Sequence, residues 1–107
     1  MVCVHFLTPP EGTVLGFSLQ GHAGCGEAGQ DIVCAAVSSA MQLTANGITE
    51  ILHYEPVLKV EESAVTLQTK RGCDDQRVLA MLDSLRLQLE ILAEQYPQFI
   101  QIHILEV

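Results

Sequence analysis

Hydrophobic and polar residues alternate along several short stretches of the chain, which is the pattern of half-buried strands. Residues 2–7 and 14–20 alternate on either side of a turn at 8–12, so they predict a first hairpin. Residues 57–62 and 64–69 predict a second hairpin by the same pattern. Residues 99–107 predict a final strand that is apolar on much of both faces.

Two longer stretches are compatible with helices instead. Asp31 is a good N-cap residue, and the sequence predicts a helix over 32–45 that stops at Asn46 and Gly47. Asp74 or Asp75 starts a second predicted helix, which runs to Tyr96. That helix has an apolar seam, made of Val78, Leu82, Leu85, Leu89, Leu92 and Tyr96.

The resulting order ββαββαβ predicts an α+β fold, in which two helices pack on a mixed sheet in a sandwich-like arrangement. The 107 residues, 49% of them hydrophobic, suffice for one domain over 1–107 but not for two. The first helix is nearly apolar all round and rich in small residues, so we expect it to be covered on more than its sheet side. This favours a homodimer over a tightly packed monomer.

The net charge of the chain indicates which classes of binding partner to expect. Five Lys and Arg against thirteen Asp and Glu give a net charge of -8, with no basic cluster, so direct binding of nucleic acid is not expected. A basic protein or peptide would be attracted to such a surface. No apolar run approaches the roughly 18 to 20 residues of a membrane helix, and no secretory signal is evident. We therefore expect a cytoplasmic protein without membrane contact, with its four cysteines as free thiols.

The glycine-rich segment from Gly21 to Cys34 admits three chemistries. The first is dinucleotide binding, because residues 24–29 match G-x-G-x-x-G, although Glu27 and Asp31 would repel a phosphate. The second is a zinc site using His22, Cys25 and Cys34, although the paired ligand spacing of structural zinc sites is missing. The third is a cysteine nucleophile.

The placement of Cys34 favours this third chemistry. If Asp31 caps the helix, Cys34 falls in the first helical turn, where backbone N–H groups and the helix dipole favour the thiolate. His22, at the far end of the loop, could exchange a proton with that thiolate. Ser38 lies four residues after Cys34 on the same helix face. On spacing alone, a buried structural cysteine and an incidental histidine remain the simpler interpretation.

Gly21-His22-Ala23, the glycine-rich loop and the run Gly29-Gln30-Asp31-Ile32-Val33-Cys34-Ala35-Ala36-Val37-Ser38 resemble the ribosomal-processing cysteine protease (Prp) family. The resemblance implies a homodimeric endopeptidase with a mixed α/β sandwich fold and no metal or organic cofactor. Its substrate would be the N-terminal extension of a bacterial large-subunit ribosomal protein of the bL27 type.

By position, the resemblance makes Cys34 the nucleophile and His22 its dyad partner, with Asp31 and Ser38 as supporting polar residues. It also implies a substrate loop, formed by Gly21, Ala23, Gly24, Gly26 and Gly29. The alternative function is a non-catalytic protein-binding module that acts in ribosome assembly on the same basic partner.

Overall fold

The computed structural model describes residues 2–20, 30–61 and 64–107, with the side chains of residues 30 and 31 left out of the description. Its elements follow the predicted order ββαββαβ. The strands are β1 (Val2–Thr8), β2 (Gly16–Gln20), β3 (Val57–Val60), β4 (Ala64–Gln68) and β5 (Ile100–Glu106). The helices are α1 (Gln30–Asn46), continued by a π-helical segment (Gly47–Ile51), and α2 (Gln76–Gln95).

The five strands form one mixed sheet in the order β3-β4-β2-β1-β5. Both predicted hairpins are antiparallel pairs, β2 and β4 pair antiparallel in the middle, and β5 runs parallel to β1 at one edge. A parallel neighbour requires a crossover connection, and α2 provides the return from β4 to β5. The mixed sheet predicted from the sequence is thus confirmed.

The two helices lie on one face of this sheet and pack against each other. The core lies between the layers and includes Val2, Val4 and Phe6 of β1, which are fully buried. Their neighbours Cys3 and His5 point to the opposite face, where they are only half-buried. The protein is therefore a two-layer sandwich with one covered and one open sheet face.

The predicted second helix is confirmed at both ends. The Asp75 carboxylate accepts a hydrogen bond from the backbone N–H of Arg77 at 3.0 Å, which caps the first turn, and Tyr96 is the C-cap. Tyr96, the last residue of the predicted seam, is 37% exposed. The other five seam residues are buried: Val78, Leu82, Leu85, Leu89 and Leu92.

The first helix differs from the prediction at its end. It does not stop at Asn46 and Gly47 but continues through the π-helical segment. A side chain at position 47 would collide with the end of Met81 on α2, so glycine here permits close packing. Ile48 is fully buried, and the backbone N–H of Leu52 closes the segment by donating to the Gly47 carbonyl at 2.9 Å.

With this continuation, the helical stretch Ile32–Ile51 is long and apolar enough to cross a membrane, judged by length and composition only. The core helix of a globular protein can have the same length and composition. Here one side of the stretch is packed into the protein core, through Val33, Val37, Met41 and Ile48.

Candidate active site

Cys34 is the fifth residue of α1 and faces the sheet. Only 7% of its surface is exposed, and it belongs to the same hydrophobic core cluster as Val33 and Val37. The side chains that follow on this face of α1, Val37 and Met41, are also buried. Along this face of α1, the side chains that follow Cys34 therefore leave no room for a reactant.

The prediction that all cysteines are free thiols is wrong for Cys34, which takes part in a disulfide. Cys3 and Cys73 are free and half-buried, as predicted. The prediction rested on the absence of a secretory signal, which concerns the redox compartment but not whether two sulfurs lie within bonding distance. Because the thiolate is the nucleophilic form of cysteine, Cys34 must be reduced before it can attack a carbonyl.

The prediction that Asp31 is the N-cap is also wrong, since α1 already includes Gln30. A carboxylate is favoured throughout the first turn by the helix dipole, so Asp31 is equally compatible with a position inside the helix. Cys34 then begins the second turn, where its own N–H can donate to the carbonyl of Gln30. The capping argument for an activated thiol is correspondingly weaker, because the dipole effect declines after the first turn.

Ser38 lies one helical turn after Cys34 in α1 and is half-buried, and its supporting role stays a prediction. The remaining predicted site residues lie outside the described residues. These are His22 and the predicted loop positions Gly21, Ala23, Gly24, Gly26 and Gly29. Cys25 and Glu27, which entered the zinc and dinucleotide hypotheses, lie outside them as well.

The sequence pattern did not single out Ile32, which is 68% exposed only two residues before Cys34. Its exposure follows from the helical repeat, because Val33, Val37 and Met41 define the buried side and Ile32 falls off it.

Within 2–20, 30–61 and 64–107, no three His, Cys, Asp or Glu side chains gather as a metal site would require. Tyr54 accepts a hydrogen bond from the backbone N–H of Lys70 at 2.8 Å, and burial together with a hydrogen bond to Cys73 raises the pKa of its phenol. This cluster ties the loop before β3 to the loop after β4, which is a structural role.

Comparison with known proteins identifies a family and several relatives. The family model for "Cysteine protease Prp" matches residues 1–101. The ribosomal processing cysteine protease Prp of Bacillus subtilis (strain 168) is 37% identical over 49 residues, a segment covering 46% of this chain and 44% of that protein. The Prp of Staphylococcus aureus (strain Mu50) is 24% identical over 104 residues, covering 96% of this chain and 98% of that protein.

The fold is shared with crystal structures of Prp from S. aureus. The structure with a substrate peptide superimposes with a TM-score of 0.89 at 22% identity, covering 98% of this chain and 100% of that one. The structure with a covalently linked product peptide gives a TM-score of 0.84 at 24% identity, with the same coverage. These likenesses agree with the two-layer sandwich and its five-stranded sheet.

Proposed function

The chain belongs to the cysteine protease Prp family, and we propose that it removes the N-terminal extension of a bacterial large-subunit ribosomal protein of the bL27 type. The observation that supports this proposal is the position of Cys34 near the start of α1, in the sequence that directly follows the glycine-rich segment. The net charge of -8 supports a basic substrate, because opposite charge accelerates encounter between proteins.

In the proposed reaction, the Cys34 thiolate attacks the carbonyl carbon of the scissile peptide bond. The C–N bond breaks as the new C–S bond remains, and His22 protonates the leaving amine. Water then attacks the acyl-enzyme while His22 takes one of its protons, and the C–S bond breaks. The extension leaves as a carboxylate, its second proton passes to solvent, and Cys34 regains its thiolate beside the protonated His22. No metal or organic cofactor is needed to balance either step.

Ser38 is proposed as a positioning residue. Its half-buried hydroxyl lies one turn along α1 from Cys34, where it can donate a hydrogen bond toward the reacting centre. Asp31 is proposed as a second supporting residue, near the start of the same helix. Gly21, Ala23, Gly24, Gly26 and Gly29 are proposed to contact the substrate backbone, since glycine allows the closest approach.

We also propose that the enzyme is a cytoplasmic homodimer. Cleavage of a ribosomal protein belongs where ribosomes are assembled. Self-association is supported by the outer side of α1 and its continuation, where Ile32, Leu43 and Ile51 are between 68% and 74% exposed. Monomeric proteins rarely leave several large aliphatic side chains exposed along one helix.

The experiment mixes the reduced protein with the extended precursor and measures removal of the extension by mass spectrometry. We expect Cys34→Ala to lower the rate by roughly 10³-fold or more, and His22→Ala by about 10² to 10⁴-fold. Cys73→Ala is the matched control, because Cys73 is a free, half-buried thiol away from α1, and it should cleave normally.

Continued cleavage by Cys34→Ala would contradict the proposed nucleophile. If the reduced wild type binds the precursor tightly but never cleaves it, the protein-binding module becomes the better account of its function.

A further inference from the structure

Strand β3 lies at one edge of the sheet and exposes hydrophobic side chains there. Within the sheet that the structure describes, it pairs with β4 alone, as the first strand in the order β3-β4-β2-β1-β5. All four of its residues are exposed, and three of them are aliphatic: Val57 at 57%, Leu58 at 48% and Val60 at 68%. Natural proteins usually guard an edge strand with charges or proline, because an unguarded edge pairs with other chains.

The backbone groups of Leu58 and Val60 point away from the sheet. The N–H of Glu61 donates to the Ala64 carbonyl at 2.8 Å, so these two residues form a hydrogen-bonded pair at the end of the hairpin. Bonded and non-bonded pairs alternate along an antiparallel ladder, and Lys59 is therefore the next residue bonded to β4. Leu58 and Val60 turn their N–H and C=O groups outward, where no other strand of the described part of the chain pairs with them.

The side chains of the same two residues lie on the covered face of the sheet, beyond the reach of its cover. Leu58 lies opposite Leu67, which is fully buried, and Val60 lies opposite Val65, which packs against the core. The exposed fraction rises from 0% at Leu67 to 48% at Leu58, so the helix layer ends before β3. The edge therefore offers two aliphatic side chains together with two outward pairs of backbone groups.

The charged residue within β3, Lys59, guards the other face. It lies opposite Thr66, whose hydroxyl is 3.2 Å from that of Ser18 on the open face of the sheet. Its ammonium group is 3.3 Å from the carboxylate of Glu61. The face that carries Leu58 has no such guard within the strand.

The two ends of β3 are acidic. Glu55 precedes the strand, and its side chain is 91% exposed and 3.9 Å from the ammonium group of Lys70. Glu61 follows the strand, and its side chain is 56% exposed. An aliphatic edge between two carboxylates fits an extended peptide whose apolar residues are flanked by basic ones.

A second copy of β3 fits the same edge poorly. If two β3 strands paired antiparallel through the outward groups of Leu58 and Val60, Lys59 of one copy would lie directly opposite the same lysine of the other. Like charges in directly opposed positions of a ladder are destabilising. The charge pattern of the edge therefore favours a basic peptide over a second copy.

We propose that β3 binds an extended segment of the substrate as a sixth strand of the sheet. Leu58 and Val60 exchange backbone hydrogen bonds with this segment, and its alternate apolar side chains pack on theirs. The proposal rests on the proposed function, in which the substrate is a basic ribosomal protein. None of the predicted catalytic residues lies on β3, so the strand contributes to affinity for the precursor rather than to the chemical step.

The first experiment measures backbone hydrogen exchange by NMR, with and without a synthetic peptide that contains the precursor's extension and the residues after it. The protein carries Cys34→Ala, so that the peptide stays intact. Saturating peptide should slow exchange of the Leu58 and Val60 amides by at least about tenfold, because both gain an acceptor. The amides of β5, at the opposite edge, are the control and should change by less than about twofold. Unchanged exchange at Leu58 and Val60 would overturn the proposal.

The second experiment removes one outward N–H. Proline is tolerated on an edge strand where its missing N–H faces solvent, so Val60→Pro should keep the circular dichroism of the wild type. Its KM for the precursor should rise about three- to tenfold through the lost hydrogen bond, with kcat within about twofold. Val60→Thr is the matched control, because threonine keeps the N–H and a branched side chain of similar size, and its KM should stay within about twofold.

An unchanged KM in Val60→Pro would contradict the proposed backbone pairing. If Val60→Pro instead alters the oligomeric state measured by sedimentation and leaves KM unchanged, the edge joins two copies and the proposal is wrong. Should this variant fail to fold, hydrogen exchange still decides the question, since it needs no change in β3.

The third experiment tests the acidic ends by fluorescence anisotropy with the labelled peptide, again in protein carrying Cys34→Ala. Glu61→Gln should weaken binding by about two- to fivefold at low salt. Glu106→Gln removes the same charge at the end of β5, on the opposite edge of the sheet, and should leave the affinity unchanged. Equal losses in both variants would mean that the peptide responds to net charge alone, which overturns its placement on β3.

These measurements separate the β3 site from the protease function. If the wild type cleaves nothing, the proposed function fails, whereas hydrogen exchange and anisotropy still decide whether β3 binds the peptide. If the wild type cleaves the precursor but exchange at Leu58 and Val60 does not change, the protease function stands and the β3 site is refuted.

Discussion

Gly16 offers the sharpest test of the packing, because it begins β2, the middle strand of the sheet, and pairs there with both β1 and β4. Its partners are Leu7 and Gln68. A Cβ atom added at Gly16 would collide with the carbonyl oxygen of Leu67 and would lie 2.9 Å from Cα of Gln68. It would also lie 3.1 Å from Cδ1 of Leu7. Two of these three atoms belong to the backbone, so a change of side-chain rotamer cannot relieve the collision.

The expected effect of Gly16→Ala is a loss of about 2 to 4 kcal/mol in the free energy of unfolding. Overpacking a well-filled interior costs about 1 to 3 kcal/mol. Relief requires β2 and β4 to separate, which weakens their ladder and the neighbouring hydrogen bond from the Thr69 N–H to the Leu15 carbonyl, at about 1 kcal/mol per bond. The smaller backbone entropy of alanine in the unfolded chain returns about 0.5 to 1 kcal/mol.

Gly47→Ala is the matched control. The added Cβ would again collide, but with the end of the Met81 side chain, whose Sδ lies 3.0 Å away and which can adopt another rotamer. Alanine also gains up to about 1 kcal/mol over glycine inside a helix. The two effects nearly cancel, so this variant should remain within about 1 kcal/mol of the wild type.

Urea unfolding followed by circular dichroism measures both variants, at equal protein concentration and in the reduced state. The reasoning is refuted if Gly16→Ala is as stable as the wild type, or if Gly47→Ala loses as much stability as Gly16→Ala. A changed slope against urea in either variant would mean that the unfolding reaction itself had changed.

Three further predictions concern single groups. Precursor cleavage should rise when a thiol reductant is added, since Cys34 is disulfide-bonded, and equal rates with and without reductant would contradict this. Tyr54→Phe should lower the unfolding free energy in urea by about 0.5 to 1.5 kcal/mol, because the Lys70 N–H loses its acceptor. The Arg77 guanidinium holds the pKa of Asp75 below its usual value, so the stability from this carboxylate is present above about pH 4 and is lost on acidification. Asp75→Asn should therefore flatten the acid side of the melting temperature profile, and an unchanged profile would rule this out.

The sequence sufficed for elements whose signals are local. Asp75 and the buried seam defined the second helix, and alternation located the strands to within two or three residues. The continuation of α1 could not be predicted in this way, because Asn46 and Gly47 are ordinary stop signals for a helix. What overrides them is the long-range packing of Met81 on Gly47 and the full burial of Ile48.

In the candidate site, too, only the features that depend on local sequence could be predicted. Helical spacing placed Cys34 and Ser38 on one side of α1, which requires only the 3.6-residue repeat. The prediction that Asp31 is the N-cap was wrong because the start of a helix is defined by backbone conformation. The residue types here are compatible with a helix that begins at Gln30 as well as with one that begins after Asp31. The bonded state of Cys34 was beyond prediction, because sulfur-to-sulfur distance depends on the folded chain rather than on residue order.

The burial of Cys34, the candidate nucleophile, and the exposed helix face have a common explanation in the two sides of α1. Val37 and Met41 pack one side of α1 against the core, so Cys34 is held in one place. Freezing the helix in this way costs conformational entropy, which the inner contacts must offset. The proposed homodimer would add contacts on the second side of α1, where Ile32, Leu43 and Ile51 are exposed. Variants that separate the copies should therefore lower the thermal stability of the protein, because they remove contacts from the helix that carries Cys34.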